Sequence, residues 1–361
     1  MIRLIVFAIL LIGMSAYITF TAHSLFSFGA MKKVPTALAW FLSALPSAAG
    51  LALIPITGRA AVSVAAMAHL TALLLLWDVV LHFVRGDKAR PKAVLFAVSF
   101  VLCAAYITYG IINAYTVTPT CYTVTTDKPI ASERLRIAQI SDCHLGTTFD
   151  GDGFARHIQA INAHHPDVLV ITGDFADSRT SVEDMAAACA ALENVQAPLG
   201  VYYVSGNHEG SMHPQKNDQL LRLLESSGVT VLEDEAVVIA DGVTVFGRKD
   251  AYDRSRLSVS ELMQQTDDPA YTVFLDHQPR EYDAYAAQGA DLVLSGHTHA
   301  GQMFPLGMFI EFIGMGENTY GMEQRGDTAF IVSSGISGLL PMRTEAHSEF
   351  VIIDIISRQN A

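Results

Sequence analysis

Apolar residues run almost unbroken through four stretches at the start of the chain, residues 4–20, 34–57, 60–84 and 93–115, after which the rhythm changes. A helix needs about 20 predominantly apolar residues to cross the hydrocarbon core of a bilayer, so these stretches predict four transmembrane helices over residues 1–115. The first, preceded by Arg3, also has the outline of a signal peptide. No small-x-small cleavage site follows it cleanly, so it is read as a retained helix. Trp40, Trp77, Tyr106, Tyr109 and Tyr115 fall mostly towards span ends, where interfacial aromatics sit. Pro46 and Pro55 predict a kink in the second span. Asp78, His69 and His82 are read as bundle residues with partners inside the bundle rather than as an ion path.

A Thr/Pro-containing connector over residues 116–134 leads into short apolar runs that alternate with amphipathic helical patterns. Strands are predicted at 135–141, 168–172, 200–205, 229–232, 237–240, 243–246, 271–275, 292–295, 329–333 and 350–355, with helices near 153–164, 181–194, 215–227, 258–266 and 280–288. Asp241-Gly242 between two β-branched runs predicts a tight hairpin turn. Residues 135–361 therefore form an α/β layered domain, long enough to enclose its own core.

Charge separates the same two regions. Residues 1–135 hold 10 Lys/Arg and 4 Asp/Glu, whereas residues 136–361 hold 13 and 32, so +6 and −19 sum to the net −13 of the chain. The acidic part lacks the cationic footprint that a nucleic-acid partner needs. Lys32, Lys33, Arg85, Lys88, Arg90 and Lys92 in the loops after spans 1 and 3 outnumber Arg3, Arg59 and Lys128 on the other side. The positive-inside rule then puts those loops in the cytoplasm and the acidic domain outside it. The four cysteines show no metal-knuckle or disulfide spacing.

Candidate chemistry gathers where predicted strands end. The runs at 135–141, 168–172, 200–205, 271–275 and 292–295 lead respectively into Asp142-Cys143-His144, Gly173-Asp174 with Asp177, Gly206-Asn207-His208-Glu209, Asp276-His277 and Gly296-His297-Thr298-His299. Ligand sites in open α/β sheets lie at the carboxyl ends of strands, so five such ends side by side surround one crevice. Turn and cap roles account for the glycines but poorly for several His and Asp converging on one edge. Carboxylates, imidazoles and an amide oxygen suit Mn, Fe, Zn or Co better than Ca. The donors are too many for one tetrahedral ion. Two divalent ions sharing a carboxylate would use them all and clamp an in-line displacement at phosphorus, with a hydroxide shared between the ions as nucleophile.

The ordered set DCH, GDFAD, GNHE, LDHQP and GHTHAGQ resembles the calcineurin-like metallophosphoesterase family, and especially its bacterial membrane-anchored branch. The resemblance covers most of residues 135–356 and none of the spans. It implies a four-layer α/β/β/α sandwich of two mixed sheets. It implies that Asp142, His144 and His299 hold one metal, that Asn207, His277 and His297 hold the second, and that Asp174 bridges them. His208 would touch the phosphate and protonate the leaving oxygen, and Asp177 would orient it. The expected function is hydrolysis of a phosphodiester or pyrophosphate at the membrane, with lipid-linked esters among the substrates. A catalytically silent, metal-stabilised binding or sensor module of the membrane is the alternative.

Cys143 reads as a small buried filler rather than a nucleophile. Arg248, Asp250 and Arg343 are open to two readings, site lining or surface salt bridge. The segment 303–315, MFPLGMFIEFIGM, directly follows the last metal motif. It is either a buried lid or strand, or a hydrophobic flap that meets the bilayer or an acyl chain.

Overall fold

The computed structural model describes residues 2–358 apart from 28, 58–59, 86–89, 131–132, 267–270, 306, 311 and 313–315. Arg59 and Lys88, which enter the loop-charge comparison, lie outside the described residues, as do Leu306, Glu311, Ile313, Gly314 and Met315 of the apolar segment. The chain forms two compact units, Met1–Ile112 with Leu340–Met342, and Asn113–Leu339 with Arg343–Ala361.

The first unit consists mainly of long helices, α1 (Ile2–Ser24), α2 (Thr36–Thr57), α3 (Ala60–Arg85) and most of α4 (Arg90–Tyr115). Each is long and apolar enough to cross a membrane. Helix α2 runs through both Pro46 and Pro55 unbroken. The isolated acid of α3 has a partner, because Tyr17 donates its hydroxyl to Asp78 Oδ2 at 2.7 Å. His69 Nδ1 lies 2.6 Å from the Ala65 carbonyl one turn back. Both polar groups are therefore spent inside the bundle.

The second unit is built on two six-stranded mixed sheets. The first contains β1 (Val117–Thr126), β2 (Arg134–Ile140), β3 (Val168–Thr172), β4 (Val201–Val204), β5 (Val229–Val231) and β12 (Ser348–Ser357), in the order β1-β12-β2-β3-β4-β5. The second contains β6 (Glu235–Ala240), β7 (Val243–Gly247), β8 (Tyr271–Leu275), β9 (Leu292–Ser295), β10 (Gly321–Arg325) and β11 (Thr328–Val332), in the order β10-β11-β9-β8-β7-β6. Strands β2 to β5 run parallel, as do β7, β8, β9 and β11.

Alternation along the strands explains the layers, since successive side chains point to opposite faces. Val168 and Val170 of β3 and Val351 and Ile353 of β12 join Val273 and Leu275 of β8 in the core between the sheets. Leu169, Ile171 and Ile352 point the other way, onto α5 (Gly151–Asn162), α6 (Val182–Leu192), and Leu220 and Leu224 of the helix Pro214–Ser226. On the far side Phe246, Phe274 and Phe330 pack against Tyr282 and Tyr285. Helix, sheet, sheet and helix make the four-layer α/β/β/α sandwich that the resemblance implies.

Two edge strands depart from expectation. The segment 117–126, expected as part of the connector, is β1, paired in parallel with β12 along its whole length. Its β-branched residues suit a strand, and Pro119 is tolerable because β1 is an edge. Strand β10, Gly-Met-Glu-Gln-Arg, is polar enough to read as a loop but pairs with β11 as the other sheet's edge. The predicted hairpin is present, with Ala240 opposite Val243 across Asp241-Gly242.

Candidate metal centre

The parallel direction of β2, β3 and β4, and of β8 and β9, carries all five motifs to the carboxyl ends of their strands. Inside the layers, Gln139 joins the two sheets below those ends: its Nε2 donates to Thr172 Oγ1 at 3.0 Å and to the Ser295 carbonyl at 2.9 Å. Above this bond the loops turn sharply. Asp142, His144, Asp174, His297 and His299 all have positive φ, between 38° and 71°. Non-glycine residues adopt that region rarely and at a cost, and such residues cluster at functional sites. Gly296 permits the close crossing there, because a Cβ on it would strike Ser141 Oγ and Asp142 Oδ2.

The loops hold one another through their backbones. Asp142 N donates to Gly173 O and His144 N to Asp174 O, each at 3.0 Å. His297 N reaches Asp142 Oδ2 at 3.0 Å, and His208 N reaches Asp174 Oδ1 at 2.9 Å. These bonds consume one carboxylate oxygen of Asp174 and leave Oδ2 pointing among imidazoles. His277 Nε2 is 3.1 Å from that oxygen, His144 Nε2 3.7 Å and His208 Nε2 4.0 Å. His299 Nε2 stands 3.7 Å from Asp142 Oδ1. Asp142, His144 and His299 form one group whose donor atoms lie within 4.8 Å of one another, and Asp174, His277 and His297 form a second.

Several of these atoms are buried and make no well-formed hydrogen bond, although Asp174 Oδ2 faces His277 Nε2 and His144 Nδ1 faces Asp177. They are both ring nitrogens of His144, Asp174 Oδ2, Asn207 Oδ1, His277 Nε2 and His299 Nδ1. A buried polar group left unpaired is costly and rare in folded proteins. Buried donors concentrated at one point are what a set of cation ligands looks like. The tautomer fits too. His277 Nδ1 is 2.7 Å from the Thr172 carbonyl and must carry a proton there, so Nε2 is the nitrogen that faces the site.

The charges are strongly coupled. Burial alone would raise the Asp174 carboxyl, but the surrounding His277, His144 and His208 rings hold it well below the usual carboxylate range. Burial opposes charge on His277 as well, yet Asp174 outweighs it and the imidazole is pushed well above its ordinary value. At His297 and His299 the nearby carboxylates are outweighed: burial and neighbouring His277 bring His297 down to about 3, and burial together with His144 and Arg343 puts His299 well below normal.

Eight of the nine residues expected at the site fall in such donor groups and Asn207 directly precedes one of them, His208, but Asp177 joins through an unexpected neighbour. Its Oδ2 lies 3.5 Å from His144 Nδ1. Arg179 fixes the same carboxylate, donating its backbone N–H at 2.7 Å and Nη2 at 2.7 Å. Asp177 therefore backs His144, and it shares with His208 only the wider group in which donor atoms lie within 4.8 Å. His208 is the second residue of the short helix Asn207–Gly210 and keeps 29% of its side chain exposed, against 6% or less for His144, His277 and His299. Cys143 is fully buried, and burial beside Asp142 drives its thiol well above normal, as suits a filler.

Two residues at the centre carry structural roles that sequence reading did not assign. The buried Glu209 carboxylate accepts the backbone N–H groups of Asp174, Ala176 and Gly206 at 2.9–3.0 Å. Burial and the Asp174 charge push its carboxyl up to about 7. Its sequence signal was the acid of GNHE, three residues beyond the turn glycine, a capping-box spacing. Arg343 is buried, donates Nη1 to the His299 carbonyl at 3.0 Å and also binds the Ser337 carbonyl. Arg248 lies elsewhere, buried against Asp276 and Tyr285 and reaching the exposed Glu281. Asp250 takes Gln278 Nε2 at 3.0 Å and lines a cavity of about 360 Å³ that reaches Asn207.

The calcineurin-like phosphoesterase profile matches residues 135–301, the stretch that contains every one of these strand-end motifs. A metallophosphoesterase of Aquifex aeolicus is 32% identical over 260 residues, covering 70% of this chain and 97% of that protein. This chain belongs to the calcineurin-like phosphoesterase family. A metallophosphoesterase of Helicobacter pylori is 28% identical over 238 residues, covering 63% of this chain and 62% of its own length. A cattle protein named transmembrane protein with metallophosphoesterase domain is 30% identical over 289 residues, 73% of this chain and 63% of that one. This chain thus spans under two thirds of the length of the Helicobacter and cattle relatives. The likeness reaches animal as well as bacterial proteins, and the cattle relative combines the same domain with a membrane protein.

Proposed function

We propose that the chain is a membrane-anchored phosphoesterase that hydrolyses phosphodiesters or pyrophosphates with two divalent ions. The observation that carries this reading is the set of buried donor atoms on His144, Asp174, Asn207, His277 and His299 that make no well-formed hydrogen bond. Asp142, His144 and His299 would hold one ion, Asn207, His277 and His297 the other, with Asp174 between them. When bound, such ions polarise a phosphoryl oxygen and lower the pKa of water.

The protein's own residues supply the rest. Asp177 and the Thr172 carbonyl fix the rings of His144 and His277 from behind, which sets their orientation and basicity. His208 stands at the open side, positioned to hand a proton to a leaving oxygen. Burial pulls its imidazole below the ordinary value, against the opposing pull of Asp174. A phosphate anion bound beside it favours the protonated form again, so the acid is generated where substrate sits.

The acidic domain lies outside the cytoplasm in this reading, supported by Lys32 and Lys33 after the first span. Exposed Cys121 on β1 offers the check, because a membrane-impermeant maleimide should label it in intact cells.

The test of function uses the full chain in detergent, with bound metal and turnover of a chromogenic phosphodiester and a monoester measured together. About two ions per chain, with diester turnover lost in Asp174→Asn, is the expected result. A chain that binds no divalent ion overturns it.

A further inference from the structure

The segment that follows the last metal motif exposes apolar side chains where a water-facing loop would carry polar ones. Phe304, Met308, Phe309 and Phe312 all face outwards, Met308 by 68% and Phe312 by 88%. They flank or belong to a short helix, Gly307–Ile310, whose own Gly307 and Ile310 are buried. The segment is thus held from below and bare above. Large apolar groups gathered on one surface mark an interaction site rather than ordinary surface scatter.

Hydrogen bonds within the second unit show what lies beside it. Phe304 N donates to Thr344 Oγ1 at 3.1 Å, and Gly307 N to Glu345 Oε2 at 3.0 Å. The same loop, 343–348, grips the end of α4: Asn113 Nδ2 donates to the carbonyls of Arg343 at 3.1 Å and Ala346 at 3.0 Å, and Ser348 Oγ donates to Ala114 O at 3.0 Å. Asn113 and Ala114 are the last turn of the apolar span Val94–Tyr115. Arg343 of this loop also holds the His299 carbonyl. One loop therefore carries the end of a membrane span, the apolar patch and one wall of the metal centre. A loop of that length reaches about 20 Å at most.

We infer that Phe304, Met308, Phe309 and Phe312 insert into the boundary between headgroups and acyl chains of the bilayer holding this chain, and that the adjoining site acts on phosphodiesters of membrane lipids. The first half stands on the patch and its tie to α4; the second rests on the proposed phosphoesterase reading. Apolar insertion beside a tether needs no basic surface, which suits a domain with an excess of 19 acidic residues in 136–361. A second copy of the chain is the competing occupant.

The experiment places an environment-sensitive dye on Phe312→Cys, and separately on Val238→Cys of the exposed edge strand β6, with Cys121→Ser in both. The full chain is reconstituted in phosphatidylcholine nanodiscs with or without doxyl-labelled lipid. Strong doxyl quenching at 312 but not at 238 is expected. Equal quenching at the two sites overturns insertion, and so does shielding of 312 from aqueous iodide without doxyl quenching, which marks a protein partner.

Turnover by the Phe309→Ser/Phe312→Ser variant then tests the substrate class. Its ratio of acyl-chain nitrophenyl phosphodiester to soluble bis-nitrophenyl phosphate should fall about ten-fold, the order expected for withdrawing two phenyl rings partly inserted into the bilayer. An unchanged ratio overturns the lipid assignment. An unsubstituted chain that cleaves neither ester overturns the phosphoesterase reading, and the dye result is independent of it.

Discussion

The Glu209 carboxylate accepts the backbone N–H of Asp174 at 3.0 Å, so the residue proposed to bridge two ions is positioned by an acid that belongs to a different loop. Further bonds from Ala176 N and Gly206 N engage both of its oxygens. It locks the loop after β3 to the loop after β4. Replacing it by Gln turns an NH2 group towards N–H donors and leaves at least one buried donor unpaired. Glu209→Gln should retain the fold but lose about 10–100-fold in metal affinity or turnover, as removal of such supporting groups does. Metal titration followed by circular dichroism decides it, and wild-type affinity in the variant would remove Glu209 from the site's support.

His208 and Asp177 should separate by experiment. His208→Ala should keep its metal and lose about 10²–10⁴-fold in turnover, the usual contribution of a general acid. Asp177→Asn should instead loosen metal, because its oxygen lies 3.5 Å from His144 Nδ1 while Arg179 holds the rest of the carboxylate. Metal content measured alongside turnover distinguishes the two. If metal is lost from His208→Ala and kept in Asp177→Asn, the roles are reversed.

Most of this centre was legible because its grammar is local. Each motif sits directly after an apolar run, and parallel strands deliver such ends to one edge. The pairing of Asp177 with His144 was not legible, since it depends on Arg179 drawing the carboxylate round within its own turn. Nor was the burial of Arg343, whose partners are backbone carbonyls of Ser337 and His299 and leave no trace in side-chain identity. Edge strands β1 and β10 failed for a related reason: one face of an edge is wet, so their polar residues imitate loops.

The β1 ladder predicts where the chain can be cut. Val117–Thr126 pairs with Ser348–Ser357 along ten positions, and β12 otherwise presents a long apolar strand to solvent. A fragment starting near residue 130 leaves that edge open and should aggregate, whereas one starting at Asn113 keeps it covered. Comparing the soluble yield and light scattering of the two fragments tests this, and a monodisperse shorter fragment would show that β1 is dispensable.

Metal uptake should release protons, with a sign set by His277. Burial opposes its charge, but the Asp174 carboxylate raises its imidazole well above the ordinary value, so the metal-free protein holds a proton on the ring at neutral pH. That proton must leave before Nε2 can donate to a cation, so protons compete with metal and affinity climbs as pH rises. The climb should approach about ten-fold per pH unit for each proton displaced, and flatten once pH passes the raised value of His277. His297, already down to about 3, adds nothing to the slope in that range. Calorimetric titration of the metal-free chain in buffers of different ionisation enthalpy reads the released protons directly. His297→Ala should weaken binding without changing the slope, whereas His277→Ala should weaken it and flatten the slope. Heats that do not depend on the buffer between about pH 6 and 8 would show that no proton is displaced, and the Asp174–His277 pair would then not be the element that metal binding breaks.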